Sequence, residues 1–211
     1  MREETQRLKE LFDSCGTDKA TPHRYEHAYA RFLAPYRELN PCYLLEIGIA
    51  DCGSLRAWNR YFSWPKIHAI DNDWRSVDKA VEEVVKDKPD WISPVFGKVD
   101  QSDRQALSTF VGDQHFHIII DDGSHRVDHQ QISFEVLWPH LVQGGMYVIE
   151  DLESSKRNKE KWNPKDYTPT LDWLLETVKH AVPRSGKQDQ PPITYAFSGG
   201  AVFIFKPVEV Q

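Results

Sequence analysis

Two apolar runs that end abruptly in carboxylates constrain this chain more than any other feature: IIIDDGSH at 118–125 and, after a helix-length spacer, YVIEDL at 147–152. Short runs rich in Ile and Val, bounded by polar residues, read as strands buried on both faces. If the two strands lie side by side, Asp121, Asp122, Glu150 and Asp151 meet at one sheet edge with His125 beside them. Crowded carboxylates raise each other's pKa and repel. A fold that gathers them needs a bound cation, a cationic ligand or a catalytic use to offset that cost.

The rest of the chain extends this pattern. From about Tyr43, YLLEIG, a helical stretch at 54–61, IHAID, a helix at 75–86, WISPVFGKVD, a helix at 103–111, FHIIID, a helix at 128–141 and MYVIED succeed one another. Such alternation implies right-handed crossovers and a parallel sheet covered on both faces. Ahead of it, 3–14 and 24–38 carry apolar residues at helical spacing, punctuated by Pro22 and Pro35. Behind it come a polar segment at 153–168, a helix at 170–182, and ITYAF and AVFIFK joined by Ser198, Gly199 and Gly200, which reads as an antiparallel hairpin. The expected class is α/β: a doubly wound, Rossmann-like, mostly parallel seven-stranded sheet with an antiparallel C-terminal hairpin and N-terminal helices. Ligands of such sheets lie beyond the carboxyl ends of the strands. The expected organisation is a helical cap segment over 1–39 and a Rossmann-like domain over 40–211, one compact unit overall.

Composition excludes several classes. A chain of 211 residues accommodates one domain with a sizeable core. The formal net charge of -6 disfavours a nucleic-acid partner, which needs a basic stripe. No apolar stretch approaches the roughly 20 residues of a membrane helix. The beginning, MREETQRLKELF, is charged where a secretory signal is apolar, so a cytoplasmic location is expected. Cys15, Cys42 and Cys52 show no CxxC spacing, which argues against a disulfide framework and a zinc knot.

A cofactor signal lies in LLEIGIADCGSL. Gly48 and Gly53 permit a tight strand-to-helix turn with close backbone approach, and Ser54 stands where a helix begins. Alone, the segment is a weak signal, and a structural turn is the alternative reading. It is neither GxGxxG nor GxxxxGK[ST], so a nicotinamide-dependent dehydrogenase and a nucleoside triphosphate enzyme both lose ground. The next strand, IHAID, ends in Asp71 at about 20 residues from the turn, where an acid accepts hydrogen bonds from ribose hydroxyls. Glu46 adds negative charge nearby. An acidic site of this kind suits a positively charged nucleoside, and S-adenosylmethionine is such a ligand.

GTDK followed by His23 and Tyr25, LLEIGIADCGSL with Trp58 and Tyr61, DQSD at 100–103, IIIDDGSH, SFEVLWPHL, Gly144 with Gly145, and YVIEDL together span about 16–152. In this order they resemble class I S-adenosylmethionine-dependent methyltransferases, and among these the metal-dependent sugar O-methyltransferases of the macrocin and mycinamicin type. The resemblance implies Mg²⁺-assisted methyl transfer to an oxygen of a small molecule or glycoside in secondary metabolism. It makes Asp122, Glu150 and Asp151 the metal ligands and His125 the general base. It places Gly48 and Ser54 at the methionine part of the cofactor, Asp71 at the ribose, Asp100 and Gln101 at the adenine, and Asp121 under the amino-acid group. Lys19, His23 and Tyr25 resemble a cofactor-covering motif in which Lys19 pairs with the cofactor carboxylate. The chemistry of the residues agrees, because Mg²⁺ prefers oxygen ligands and an imidazole can take a proton from a metal-activated hydroxyl.

Other features have plainer readings. His115 and His117 flank Phe116 on an expected exposed loop, and His129 opens a helix beyond the site with at most a supporting role. Trp58, Tyr61, Phe62 and Trp64 read as core packing and a rim under the cofactor. The charged run at 153–167 is either a solvated loop or a lid presenting Trp162 and Tyr167 to the acceptor. Cys52 stands where the related enzymes usually have a glycine, and Gln143 where a proline is common. The chain is compact beside some macrolide enzymes, so a small carboxylic acid is an alternative acceptor. A cofactor-binding protein without catalysis is a further alternative, against which the acidic cluster argues. The expected partners are a small-molecule acceptor and further copies of the chain, packed through the amino-terminal helices.

Overall fold

The computed structural model describes residues 2–85, 94–181 and 194–208. The chain comprises two compact units, Met1–Asp100 and Gln101–Gln211.

In the first unit, α1 (Arg2–Cys15) and α2 (Glu26–Phe32) precede β1 (Cys42–Ile47), α3 (Gly53–Tyr61), β2 (Pro65–Asp71), α4 (Trp74–Val85) and β3 (Val95–Lys98). The strands are parallel in the order β3-β2-β1, as strand and helix alternation requires. Gly16, with φ +73°, ends α1. The helix expected over 24–38 breaks, because Pro35 supplies no N–H donor and α2 gives way to a 3-10 turn at Ala34–Tyr36. Phe12 of α1 and Tyr29 of α2 close on Trp58 of α3, with ring centroids 5.4 and 5.2 Å from it, and all three are fully buried. Aromatic contacts of this kind are worth about 0.5–1.5 kcal/mol each beyond the area they bury, and they tie the amino-terminal helices to α3. The aromatic group around Trp58 is thus core, as expected. Trp64 is partly exposed at 39%. Of WISPVFGKVD, residues 91–93 lie outside the described residues, and β3 comes after them.

In the second unit, α5 (Arg104–Val111), β4 (Phe116–Asp121), α6 (Val127–Leu137), β5 (Leu141–Ile149), α7 (Ser154–Arg157), α8 (Lys159–Trp162), α9 (Thr170–Ala181), β6 (Thr194–Ser198) and β7 (Ala201–Phe205) occur in this order. The strands lie as β4-β5-β7-β6, with β4 and β5 parallel and the last two antiparallel to their neighbours. The expected hairpin is present, turning at Gly199–Gly200 between paired Ser198 and Ala201. Seven strands, parallel apart from the final pair, and intervening helices make this the α/β class expected. Two boundaries differ. The helix expected over 128–141 ends at Leu137, and Pro139 forces a 3-10 turn over Trp138–His140. β5 begins at Leu141 and not at Met146, because Gly144 and Gly145 lie within the strand. A Cβ on Gly145 would meet the Val142 carbonyl at 2.8 Å and the His117 carbonyl at 3.0 Å, beside the register shift between Phe116 and Ile118. A pair of glycines reads as a turn in sequence; here it permits close backbone approach across a bulge.

Candidate active site

The tips of β4 and β5 carry the acids. Asp121 pairs with Ile149 in parallel register, and the Glu150 amide donates to the Asp121 carbonyl at 2.9 Å, so the chain leaves both strands at one level. Ligand-capable atoms of Asp122, His125 and Asp151 all lie within 4.8 Å of one another. His125 Nε2 is 3.6 Å from Asp151 Oδ2, and His125 Nδ1 has no hydrogen-bond partner among the described residues. Both His125 and Asp151 adopt left-handed backbone, with φ +57° and +54°. Non-glycine residues there cost on the order of 1–2 kcal/mol each, so the surrounding contacts must hold the conformation. Glu150, 2% exposed, is not a member of this group. Next to it, the left-handed turn at Asp151 carries the chain out of the strand.

The loop 121–125 is braced from below. Asp121 is 1% exposed and accepts from Gln101 Nε2 at 2.6 Å. The Ser124 amide donates to Gln101 Oε1 at 2.9 Å, and Ser124 Oγ is 2.8 Å from His129 Nδ1. Burial pushes the Asp121 carboxyl up to about 7; the Gly123 amide and Gln101 oppose this, and the negative charge of Asp122 adds to it. Burial likewise raises the Tyr147 hydroxyl, with the charge of Asp121 acting in the same direction. Helix α6 anchors the segment after β5. Gln130 Nε2 donates to the Glu150 carbonyl at 3.0 Å, Thr170 Oγ1 donates to Gln130 Oε1 at 2.8 Å, and Gln131 Nε2 donates to the Thr168 carbonyl at 2.7 Å. Asp128, 2% exposed, pairs with Arg126 at 3.0 Å and Lys165 at 2.9 Å. Burial alone would raise its carboxyl, but the donors of Arg126 and Lys165 hold it down at about 2.

These anchors bear on the segment expected as a loop or a lid. It forms two short helices, is fastened to α6 at Lys165 and Thr168, and brings Trp162 edge-on to His125 with centroids 5.7 Å apart. Tyr167 is 44% exposed and its backbone is clasped by the Asn163 side chain, at 2.9 Å through its N–H and 2.6 Å through its carbonyl.

The residues expected at the cofactor lie mostly in the first unit. Gly48 has φ +93°, and its amide donates to the Ile70 carbonyl at 2.8 Å. Cys52 caps α3 with φ +63°, so a cysteine holds a conformation that favours glycine. Asp71 accepts from the amides of Ile49 at 2.9 Å, Ala50 at 3.2 Å and Asp73 at 2.9 Å, pinning the turn. Glu46, fully buried, accepts from Ser54 Oγ at 2.9 Å and Trp58 Nε1 at 3.1 Å, and lies 3.7 Å from Lys19 Nζ. Lys19 is also fully buried, so this pair links the GTDK segment to β1. His23 stacks on Tyr25 at 5.2 Å and sits 3.4 Å from Asp18. Asp100 is exposed and Gln101 is 5% exposed. The bracing of the 121–125 loop by Gln101, and the anchoring by Gln130, Gln131 and the Asp128–Lys165 pair, have no sequence signature, since these partners are 20 or more residues away for Gln101 and Gln130 and 37 for Gln131 and for Lys165 from Asp128.

No family model matches the chain. It is 32% identical over 191 residues to an 8-demethyl-8-alpha-L-rhamnosyl tetracenomycin-C 2'-O-methyltransferase of Streptomyces olivaceus, covering 83% of this chain and 47% of that protein. It is 37% identical over 140 residues to a demethylmacrocin O-methyltransferase of Streptomyces fradiae, covering 63% of this chain and 31% of the relative. Among solved structures, the MycE methyltransferase of the mycinamycin biosynthetic pathway, in complex with Mg and SAH, superposes with a TM-score of 0.74 at 28% identity, over 95% of this chain and 54% of that one. The chain therefore spans about half the length, or less, of the relatives it matches. It is similar to sugar O-methyltransferases of the macrocin, mycinamicin and tetracenomycin type.

Proposed function

Because the chain has the fold of class I S-adenosylmethionine-dependent methyltransferases and is similar to their metal-dependent sugar O-methylating members, we propose that it transfers a methyl group from S-adenosylmethionine to a hydroxyl oxygen of a small molecule or glycoside in secondary metabolism. The observation that carries this reading is the convergence of Asp122, His125 and Asp151 within 4.8 Å. The donor chemistry fits a divalent cation: two carboxylates from adjacent strand tips, with Glu150 beside them, suit the oxygen preference of Mg²⁺. When bound, such a cation lowers the pKa of a coordinated hydroxyl. Asp122 and Asp151 hold it in this reading, while Glu150, expected as a third ligand, lies outside the group they form with His125.

His125 then has the remaining task. The acceptor O–H gives its proton to the imidazole as the oxygen attacks the methyl carbon; the C–O bond forms, the C–S bond breaks, and the sulfonium leaves as a neutral thioether. Trp162, edge-on to His125, forms a wall beside the base. In the first unit, the Gly48 turn, Ser54, Asp71 and Asp100 serve the methionine, ribose and adenine parts of the donor, and Lys19, His23 and Tyr25 close the amino-terminal segment over it. A cytoplasmic setting and self-association belong to the same reading; no helix among the described residues is long and apolar enough to cross a membrane.

The test is methyl transfer from labelled S-adenosylmethionine to a panel of glycosides, phenols and small organic acids, with and without chelator. Chelation should abolish turnover and Mg²⁺ or Mn²⁺ restore it; turnover undiminished by chelator overturns the metal-assisted reading. His125→Ala should lower kcat about 10²–10⁴-fold with a hydroxyl acceptor while Mn²⁺ still binds. A mild loss points to a carboxylate acceptor, which has no proton to give up, and loss of Mn²⁺ binding makes His125 a ligand.

A further inference from the structure

We propose that Gln101 is a positioning residue for the ligand-bearing loop 121–125, acting through the backbone and through Asp121 and not by touching the adenine of the donor; this rests on the metal-centre reading above. Both arms of its side-chain amide are engaged inside the second unit. Nε2 donates to Asp121 Oδ1 at 2.6 Å and Oε1 accepts from the Ser124 amide at 2.9 Å, and the residue is 5% exposed. At 5% exposure, with one N–H and one lone pair of the amide already engaged, it offers little surface to a nucleobase edge.

What it does have is a grip on each side of Asp122. Residue 121 precedes that carboxylate and residue 124 precedes His125, so the single amide fixes the loop at two points that bracket the candidate ligand and lead into the candidate base. The loop needs such a hold. His125 sits at φ +57°, a conformation that costs a non-glycine residue on the order of 1–2 kcal/mol and relaxes unless neighbours oppose it. From the other side the loop is held by Ser124 Oγ against His129 Nδ1 at 2.8 Å. Side chains that orient a ligand without touching the metal are worth about 10–100-fold in metal affinity or activity, and Gln101 should fall in that range.

Gln101→Met keeps the length and apolar bulk of the side chain and removes both hydrogen bonds. Mn²⁺ affinity and S-adenosylhomocysteine affinity are measured separately by calorimetry on the full chain, with a thermal melt as the folding control. The expected result is Mn²⁺ affinity weakened about 10–100-fold and kcat lowered with it, while the thioether nucleoside binds as in the wild type. Where the methionine variant fails to fold, Gln101→Glu retains the acceptor for the Ser124 amide and loses the donor to Asp121; it should weaken Mn²⁺ binding in the same direction. A loss of nucleoside affinity equal to or larger than the loss of Mn²⁺ affinity in a folded variant overturns the proposal and returns Gln101 to the adenine. Unchanged Mn²⁺ affinity also overturns it. Wild-type chain that binds no Mn²⁺ overturns the metal reading itself, and the inference with it.

Discussion

Glu46 and Asp71 in the first unit and Asp122 and Asp151 in the second all stand at or near the ends of parallel strands, yet they are used in different ways. Glu46 is fully buried and takes donors from Ser54 and Trp58 with Lys19 beside it; Asp71 takes the amides of Ile49, Ala50 and Asp73. These carboxylates knit the turn together. Asp122 and Asp151 are half-buried and gather around an imidazole instead. An acid at a strand tip is therefore a strut where the local fold aims N–H and O–H donors at it, and a candidate ligand where the fold aims other metal-binding atoms at it.

Amide substitutions separate the two uses. Asp151→Asn should reduce turnover and Mn²⁺ affinity by about a hundredfold or more, since a direct ligand exceeds the effect of its supports. Its unfolding free energy should stay closer to wild type than that of a variant at fully buried Glu46, because the side chain is half-buried and asparagine tolerates the φ of +54° at this position. A melt lowered by many degrees with metal binding intact would reverse the assignment. Glu46→Gln should do the opposite. It leaves the Lys19 ammonium in a fully buried setting without its carboxylate, and loss of one partner of a buried pair costs about 3 kcal/mol or more, readable by urea unfolding. Stability equal to wild type would show that the pair contributes nothing to the fold.

A smaller effect concerns Asp128, which is a strut in the second unit. Its folded pKa of about 2 lies below the roughly 3.9 of an unfolded chain, so it contributes stability above pH ~4 and loses it as pH falls through ~2. The contribution is on the order of 2 kcal/mol at neutral pH. Asp128→Asn should accordingly be less stable than wild type at pH 7, with the gap closing below pH 3 in denaturant titrations. A gap that does not change with pH would mean that Arg126 and Lys165 do not hold the charge in the folded protein.

Much of the architecture is legible in the residues alone. Period and punctuation place the strands, because a strand buried on both faces has few alternatives to a continuous apolar run, and FHIIID and AVFIF form β4 and β7 nearly residue for residue. The turn glycines, Asp71 and the acids after β4 and β5 are visible as chemistry at strand ends. Local backbone chemistry, however, moves boundaries: Pro35 and Pro139 shorten two helices, and Gly144–Gly145 lie inside a strand because two backbones approach closely there.

Residue types and their order along the chain thus already commit this protein to a parallel α/β scaffold with carboxylates at its strand ends, because burial patterns and turn residues act over a few positions. Which carboxylates become struts and which come together with His125 is settled by contacts across the fold. Gln101 reaches Asp121 over 20 positions, Lys165 reaches Asp128 over 37, and Lys19 lies beside Glu46 over 27. The use of a charged group depends on the donors that surround it in space, and their arrangement is a property of packing that no short stretch of chain encodes.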